Sequence, residues 1–177
     1  MMHLLAIGGS NSRSSINRNL ALFTAKLFTD ADVETLDISD LQIPLFSVDA
    51  EKEEGMPEAV LQVVNQLDRA DFIVLSLAEN NNSFNAGFKN LYDWISRIKD
   101  RKVFSGKPML LMAASPGPGG GMIVLEHAKN IFPRAGADIK ATFSLPAYYQ
   151  NFDNEKGVTN SGLLQQLKQI VKDIEGA

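Results

Sequence analysis

The chain has 177 residues, 45% of them hydrophobic and 21% charged, with a formal net charge of −4 and a pI near 5.2; that is one domain, residues 1–177, with material for a buried core. An acidic balance with no dense Lys/Arg stripe argues against nucleic acid as a partner, and no Cys with two His excludes disulfides, zinc ribbons, iron–sulfur clusters and thiol nucleophiles. No window approaches the roughly 18 apolar residues of a bilayer span and the N-terminus carries no basic leader, so the expectation is a cytoplasmic protein with no membrane partner.

Residues 3 to 8, HLLAIG, read as a short buried strand, and 16 to 28, INRNLALFTAKLF, as a helix with Leu20, Phe23, Leu27 and Phe28 on one face. VETLDI, 33 to 38, is a second strand. The connection after it holds an apolar island, Ile43-Pro44-Leu45-Phe46, too hydrophobic for a plain linker. Pro57 opens the helix EAVLQVVNQLDRA in its first turn. DFIVLSLA, 71 to 78, is a continuous apolar run of the kind covered on both faces in a parallel sheet. A helix from about Asn85 to Lys99 follows, then a strand KPMLLMAAS over 107 to 115, a glycine loop, a helix from Met122 to Arg134, a strand ADIKATFSL over 137 to 145, and a closing amphipathic helix with Leu163, Leu167, Ile170 and Ile174 inward. Strands and helices alternating five times give an α/β fold, a doubly wound five-stranded parallel sheet in the flavodoxin-like order 2-1-3-4-5.

In such a sheet ligands bind beyond the carboxyl ends of the strands, where the winding direction switches. Three loops fall there: 9 to 16, 78 to 84 and 115 to 121. They are also the most polar or glycine-rich segments between strands. In the first, Ser10, Ser12, Ser15, the Asn17 amide, Arg13 and the N–H groups of a helix start suit a phosphate; the alternative, Ser14 or Ser15 as an ordinary helix cap, would need only one such residue. It matches neither G-x-x-x-x-G-K-[ST] nor G-x-G-x-x-G. Glu79-Asn80-Asn81-Asn82-Ser83 alone reads as an Asx-rich turn, and Pro116-Gly117-Pro118-Gly119-Gly120-Gly121 as a loop whose backbone a flat ligand can approach. Together they describe a pocket for a planar heterocycle carrying one phosphate.

G-S-N-S-R-S-S-I-N-R-N-L, 9 to 20, resembles the phosphate loop of the NAD(P)H-dependent FMN reductases, flavodoxin-like quinone, chromate and azo-dye reductases. E-N-N-N-S-F-N-A-G-F-K-N-L-Y-D-W, 79 to 94, is similar to that family's second motif, and S-P-G-P-G-G-G to its third loop. The resemblance implies FMN and NAD(P)H as cofactors. Ser10, Ser15, Ile16 and Asn17, with Ser12 and Arg13 beside them, would take the phosphate; Glu79, Asn80, Asn81 and Ser83 would lie along the flavin, and Ser115, Gly117 and Gly120 near its pyrimidine end. Hydride would pass from nicotinamide to flavin and on to a quinone, flavin or similar small acceptor, with no catalytic side chain of the protein required. Where the family carries tyrosine this chain has Asn80, and where it carries Pro-Gly this chain has Asn85-Ala86, which implies a looser hold on FMN. Rival readings are a flavodoxin-like electron carrier and a regulatory module with weakened FMN affinity.

His3, at the strand end away from the loops, and His127, mid-helix, read as structural or exposed, and Glu51, Lys52, Glu53 and Glu54 as a solvated charge run. On the helix from Asn85 the core stripe is Phe88, Leu91, Ile95 and Ile98, which leaves Phe84 and Trp94 outside it. The resemblance implies a homodimer or dimer of dimers through this helix, around Lys89, Asn90 and Trp94.

Overall fold

The computed structural model describes residues 1–176. The first half runs β1 (Met2–Gly9), α1 (Ile16–Ala25), β2 (Ala31–Asp37), a 3-10 turn at Ile38–Asp40, α2 (Val48–Glu54), α3 (Glu58–Arg69) and β3 (Phe72–Leu77). A small hairpin of β4 (Glu79–Asn80) and β5 (Ser83–Phe84) leads into α4 (Ala86–Ile95), β6 (Pro108–Ala114), α5 (Met122–Ile131) and β7 (Asp138–Leu145). The chain then forms α6 (Tyr148–Asn151), a second hairpin of β8 (Phe152–Asp153) and β9 (Gly157–Val158), and α7 (Ser161–Glu175).

The five long strands pair in parallel in the order β2-β1-β3-β6-β7. This is the flavodoxin-like order that the alternation of elements predicts. Successive strand residues face opposite sides of the sheet, so Leu5 and Ile7 of β1 join Ile73, Leu75, Met109 and Leu111 beneath α3, α4 and α5. Leu4 and Ala6 join Val74, Leu110, Met112 and Phe143 beneath α1 and α7. All six residues of β3 are buried, as a strand covered on both faces requires.

The structure departs from the sequence expectations in three respects. The chain has seven α-helices among the described residues, not five: α2 forms in the connection after β2, capped by Ser47, and α6 forms in the Tyr-rich loop after β7. Pro57 is the N-cap of α3 and not part of its first turn. Trp94 and Phe84 do not lie outside the core. Both are buried, Trp94 completely. Its indole N–H donates to the Pro44 carbonyl at 2.8 Å and its ring meets Phe46 edge-on at 5.1 Å. The apolar island of residues 43 to 46 thus closes over α4, pinned also by Asn90, which donates to Pro44 O at 3.0 Å and accepts from Phe46 N at 2.8 Å. A helical stripe drawn from α4 alone could not show this, because the strap that widens the buried face comes from 50 residues away. Phe84 stacks on Phe132 and on the exposed His127 ring.

Candidate functional site at the carboxyl edge of the sheet

The turns after β1, β3 and β6 all emerge at one edge, as the parallel order dictates. The first is short and tight. Ser15 caps α1, its Oγ accepting from Arg18 N at 3.1 Å, the ordinary capping role open to it from the sequence. Ser12 N donates to Ser10 Oγ at 3.2 Å and Ser15 N to Ser12 O at 3.1 Å. Arg18 closes the turn from below, paired to Asp37 and donating to Arg13 O at 2.6 Å. This leaves the main-chain N–H groups of Arg13, Ser14, Ile16 and Asn17 without a partner among the described residues. The exposed Arg13 guanidinium has none either. Unpartnered N–H groups converging at a helix start attract anions.

Asn17 departs from its expected part. Its side chain is buried and lies across the sheet, donating to Ala114 O at 3.1 Å and accepting from Ala114 N at 2.8 Å and Ser76 Oγ at 2.7 Å. The amide cannot also face a phosphate; what Asn17 offers the loop is its main-chain N–H. Ser10 is buried, while Ser12 is exposed and Ile16 half-buried.

The second turn is organised by its own amides. Asn81 and Asn82 have φ of 50° and 61°, the left-handed pair a two-residue hairpin turn needs, so the Asx-rich turn is real and is a hairpin. Glu79 does not face outward: its Oε2 accepts from Val124 N at 3.0 Å and so caps α5, where a carboxylate is favoured by the helix dipole. Asn80 Oδ1 accepts from Asn85 Nδ2 at 3.0 Å. Ser83 is exposed opposite Asn80 in the hairpin.

In the third turn Ser115 Oγ donates to Gly117 O at 3.1 Å. A Cβ at Gly117 would meet nothing within 4 Å, so its backbone stands open to a ligand. Gly120 is different: with φ of 60° it suits glycine, and a Cβ there would overlap Ser144 Oγ, so glycine at 120 is needed for packing whatever else it does. The N–H groups of Gly117, Gly119, Gly120 and Gly121 also have no protein partner among the described residues. The segment after β7 is tied to this turn, Ala147 N to Gly117 O at 2.9 Å and Tyr148 N to Ser115 O at 3.0 Å, and it places the largely exposed Tyr149, at 74%, beside it. Burial raises the Tyr148 phenol pKa above its ordinary value, with Tyr149 adding to the rise and the Asn19 hydrogen bond working against it.

The three turns expected at this edge are brought together, along with the segment 146 to 149 and Asn11, which the sequence does not single out. The segment 146 to 149 follows the last parallel strand, so its place at the same edge is already implied by the topology. Asn11 and Asn85 bridge the first two turns: Asn85 Oδ1 accepts from Asn11 N at 3.2 Å. Asn immediately before a helix is a cap signal, but nothing local points to Asn11.

The geometry fits a phosphorylated planar ligand on observations of its own: free N–H groups and an unpaired guanidinium at the first turn, and open backbone at the third. Residues 2–150 match the NADPH-dependent FMN reductase family. The chain belongs to that family. It is therefore an oxidoreductase that works with FMN and a reduced nicotinamide. Among similar proteins, the quinone reductase of Escherichia coli (strain K12) is 32% identical over 131 residues, 73% of this chain and 69% of that one. A 2-hydroxy-1,4-benzoquinone reductase of a Burkholderia species is 28% identical over 166 residues, 93% and 87% of the two chains. FerB, a flavoenzyme NAD(P)H:(acceptor) oxidoreductase from Paracoccus denitrificans, shares the fold with a TM-score of 0.78 over 98% of this chain and 94% of that one, at 23% identity. No described helix is long and apolar enough to cross a membrane.

Proposed function

We propose that this family member holds FMN across the three turns and reduces a small, flat acceptor of the quinone class in the cytoplasm. The observation that carries the reading is the set of unpartnered N–H groups at Arg13, Ser14, Ile16 and Asn17 beside the unpaired Arg13 guanidinium. Names of similar proteins, a quinone reductase and a hydroxybenzoquinone reductase, support the acceptor class.

In this reading Ser10, Ser12, Ser15 and the first-turn N–H groups bind the phosphate, with Arg13 supplying the countercharge. Asn80, Asn81 and Ser83 border one side of the ring, held by the hairpin whose Glu79 is anchored to α5. Ser115 and the N–H groups of Gly117 and Gly120 lie near the pyrimidine oxygens, where main-chain donors favour negative charge. Bound FMN would supply the redox chemistry, taking a hydride from the nicotinamide and passing reducing equivalents to the acceptor. The protein binds, orients and stabilises charge; no side chain is needed as acid or base.

Trp94 cannot anchor a contact between subunits, since its own chain covers it. A homodimer remains part of the proposal, with the apolar side chains beside α4 that are left for a contact, Leu45 at 82% and Val48 at 53% exposure. Light scattering at micromolar concentration should give a mass well above the 19.4 kDa of one chain.

Titration with FMN should produce a shifted visible spectrum that bleaches on anaerobic addition of NADH or NADPH. If nicotinamide and acceptor use one pocket in turn, initial rates at varied quinone should give parallel lines. A protein that leaves the FMN spectrum unchanged at high micromolar FMN sinks the reading.

A further inference from the structure

Asn85 does more than start α4. A cap needs an acceptor, and Asn85 Oδ1 provides one to Gly87 N at 3.0 Å and Phe88 N at 3.3 Å. Serine or aspartate would serve equally there. The amide nitrogen is what a cap does not use, and it donates in two directions, to Asn11 Oδ1 at 3.1 Å and to Asn80 Oδ1 at 3.0 Å. Oδ1 also accepts from Asn11 N. Three main-chain N–H groups require oxygen on that side, which fixes the nitrogen toward the two loops.

The first loop and the β4–β5 hairpin are thereby joined through one side chain, 74 residues from Asn11 and five from Asn80. Contact at the junction is close. A Cβ at Gly87 would lie 2.7 Å from Asn11 Cβ, so Asn11 packs directly on the first turn of α4. The hairpin itself has two residue pairs, too few to be stable alone, and Asn11 to Ser14 are exposed. Phe84 and Glu79 fix the base of the hairpin to the core and to α5, but its tip, Asn80 to Ser83, is exposed and has no packing to hold it.

We propose that Asn85 is a positioning residue: by way of Asn11 and Asn80 it holds the first loop and the hairpin in their ligand-binding arrangement before FMN arrives. Ordering the loops in advance removes that ordering cost from binding, and loss of the clamp lowers apparent affinity by the fraction of molecules no longer competent. The Nδ2 groups of Asn11 and Asn80, which have no partner among the described residues, are then presented at fixed positions. The functional meaning rests on the FMN reading above; the clamp itself does not.

Asn85→Ser keeps a neutral cap and removes the two donations. In the ligand-free protein, hydrogen exchange at residues 80–84 should accelerate by about tenfold, while the Gly87 and Phe88 amides stay protected and the thermal midpoint stays near the parent's. The FMN Kd should rise by about tenfold. Asn80→Ala, which leaves the cap untouched, should accelerate the same exchange to a smaller extent. In ligand-free exchange the double variant should be no worse than Asn85→Ser alone, because both act on one tie. Unchanged exchange at 80–84 in Asn85→Ser overturns the clamp. Fully additive exchange effects overturn the shared tie, and faster exchange with an unaltered Kd overturns its positioning role. If the parent chain itself fails to bind FMN, the functional reading falls and the exchange measurements alone decide the clamp.

Discussion

The first loop and the stretch from Glu79 to Trp94 are both rich in hydrogen-bonding side chains, and the fold uses them in opposite ways. Around the first loop the conspicuous amide, Asn17, is drawn into the sheet, and what remains for a ligand is main-chain N–H, serine hydroxyls and one arginine. From Glu79 to Trp94 the polar groups are taken up by the chain itself: Glu79 caps α5, Asn81 and Asn82 form a turn, Asn85 ties two loops, and Asn90 and Trp94 hold the strap at Pro44. Much of the second motif is scaffold, with the exposed Asn80 to Ser83 tip left toward the edge. A count of donors in a loop therefore says little until it is known which of them already have partners.

The sharpest way to break that contrast is at Trp94. If it is part of the scaffold, Trp94→Ala should cost about 3–5 kcal/mol of folding stability, read from denaturant midpoints. A loss confined to subunit association, with the protomer as stable as before, would return Trp94 to an interface role. Asn17 is next. Asn17→Ala strands the Ala114 N–H and C=O and the Ser76 hydroxyl in the sheet interior, and at about 1–3 kcal/mol for each group left unmet the loss after partial relaxation should be about 3 kcal/mol. Should stability hold and FMN affinity alone collapse, the amide faces the ligand after all.

Ser15→Asp sharpens the other side of the contrast. Aspartate caps a helix as well as serine, so folding should be little changed, while a carboxylate beside a phosphate should weaken FMN by more than tenfold, about 1.4 kcal/mol. Equal fluorescence titrations for parent and variant would remove the phosphate from this loop. The smallest effect is expected at Asn80→Tyr. A ring beside a flavin adds about 0.5–1.5 kcal/mol. The hydrogen bond from Asn85 to the Asn80 amide, which tyrosine would not reproduce, is of similar size, about 0.5–1.5 kcal/mol, so the Kd should stay within about threefold. A tenfold gain would mean that the amide tie carries little.

Sheet order, the three loops and their common edge were legible in the chain, because strand and helix periods and glycine punctuation are local signals. The family likeness of residues 9–20 and 79–94 rested on the same local strings. Helices α2 and α6 and the hairpins escaped because they are short, and the buried state of Trp94 because an apolar stripe counts one helix's neighbours only.

What the sequence by itself determined is which residues stand at the carboxyl edge: the alternation of apolar runs puts β1, β3 and β6 side by side, and the loops follow. Which of those residues are free to meet a ligand was decided by tertiary structure. Asn17 finds Ala114 across 97 residues, Asn11 finds Asn85 across 74, and Trp94 finds Pro44 across 50. A hydrogen-bonding group has few partners to give and is satisfied by whichever the fold brings within about 3 Å, and at those separations no local pattern records the choice.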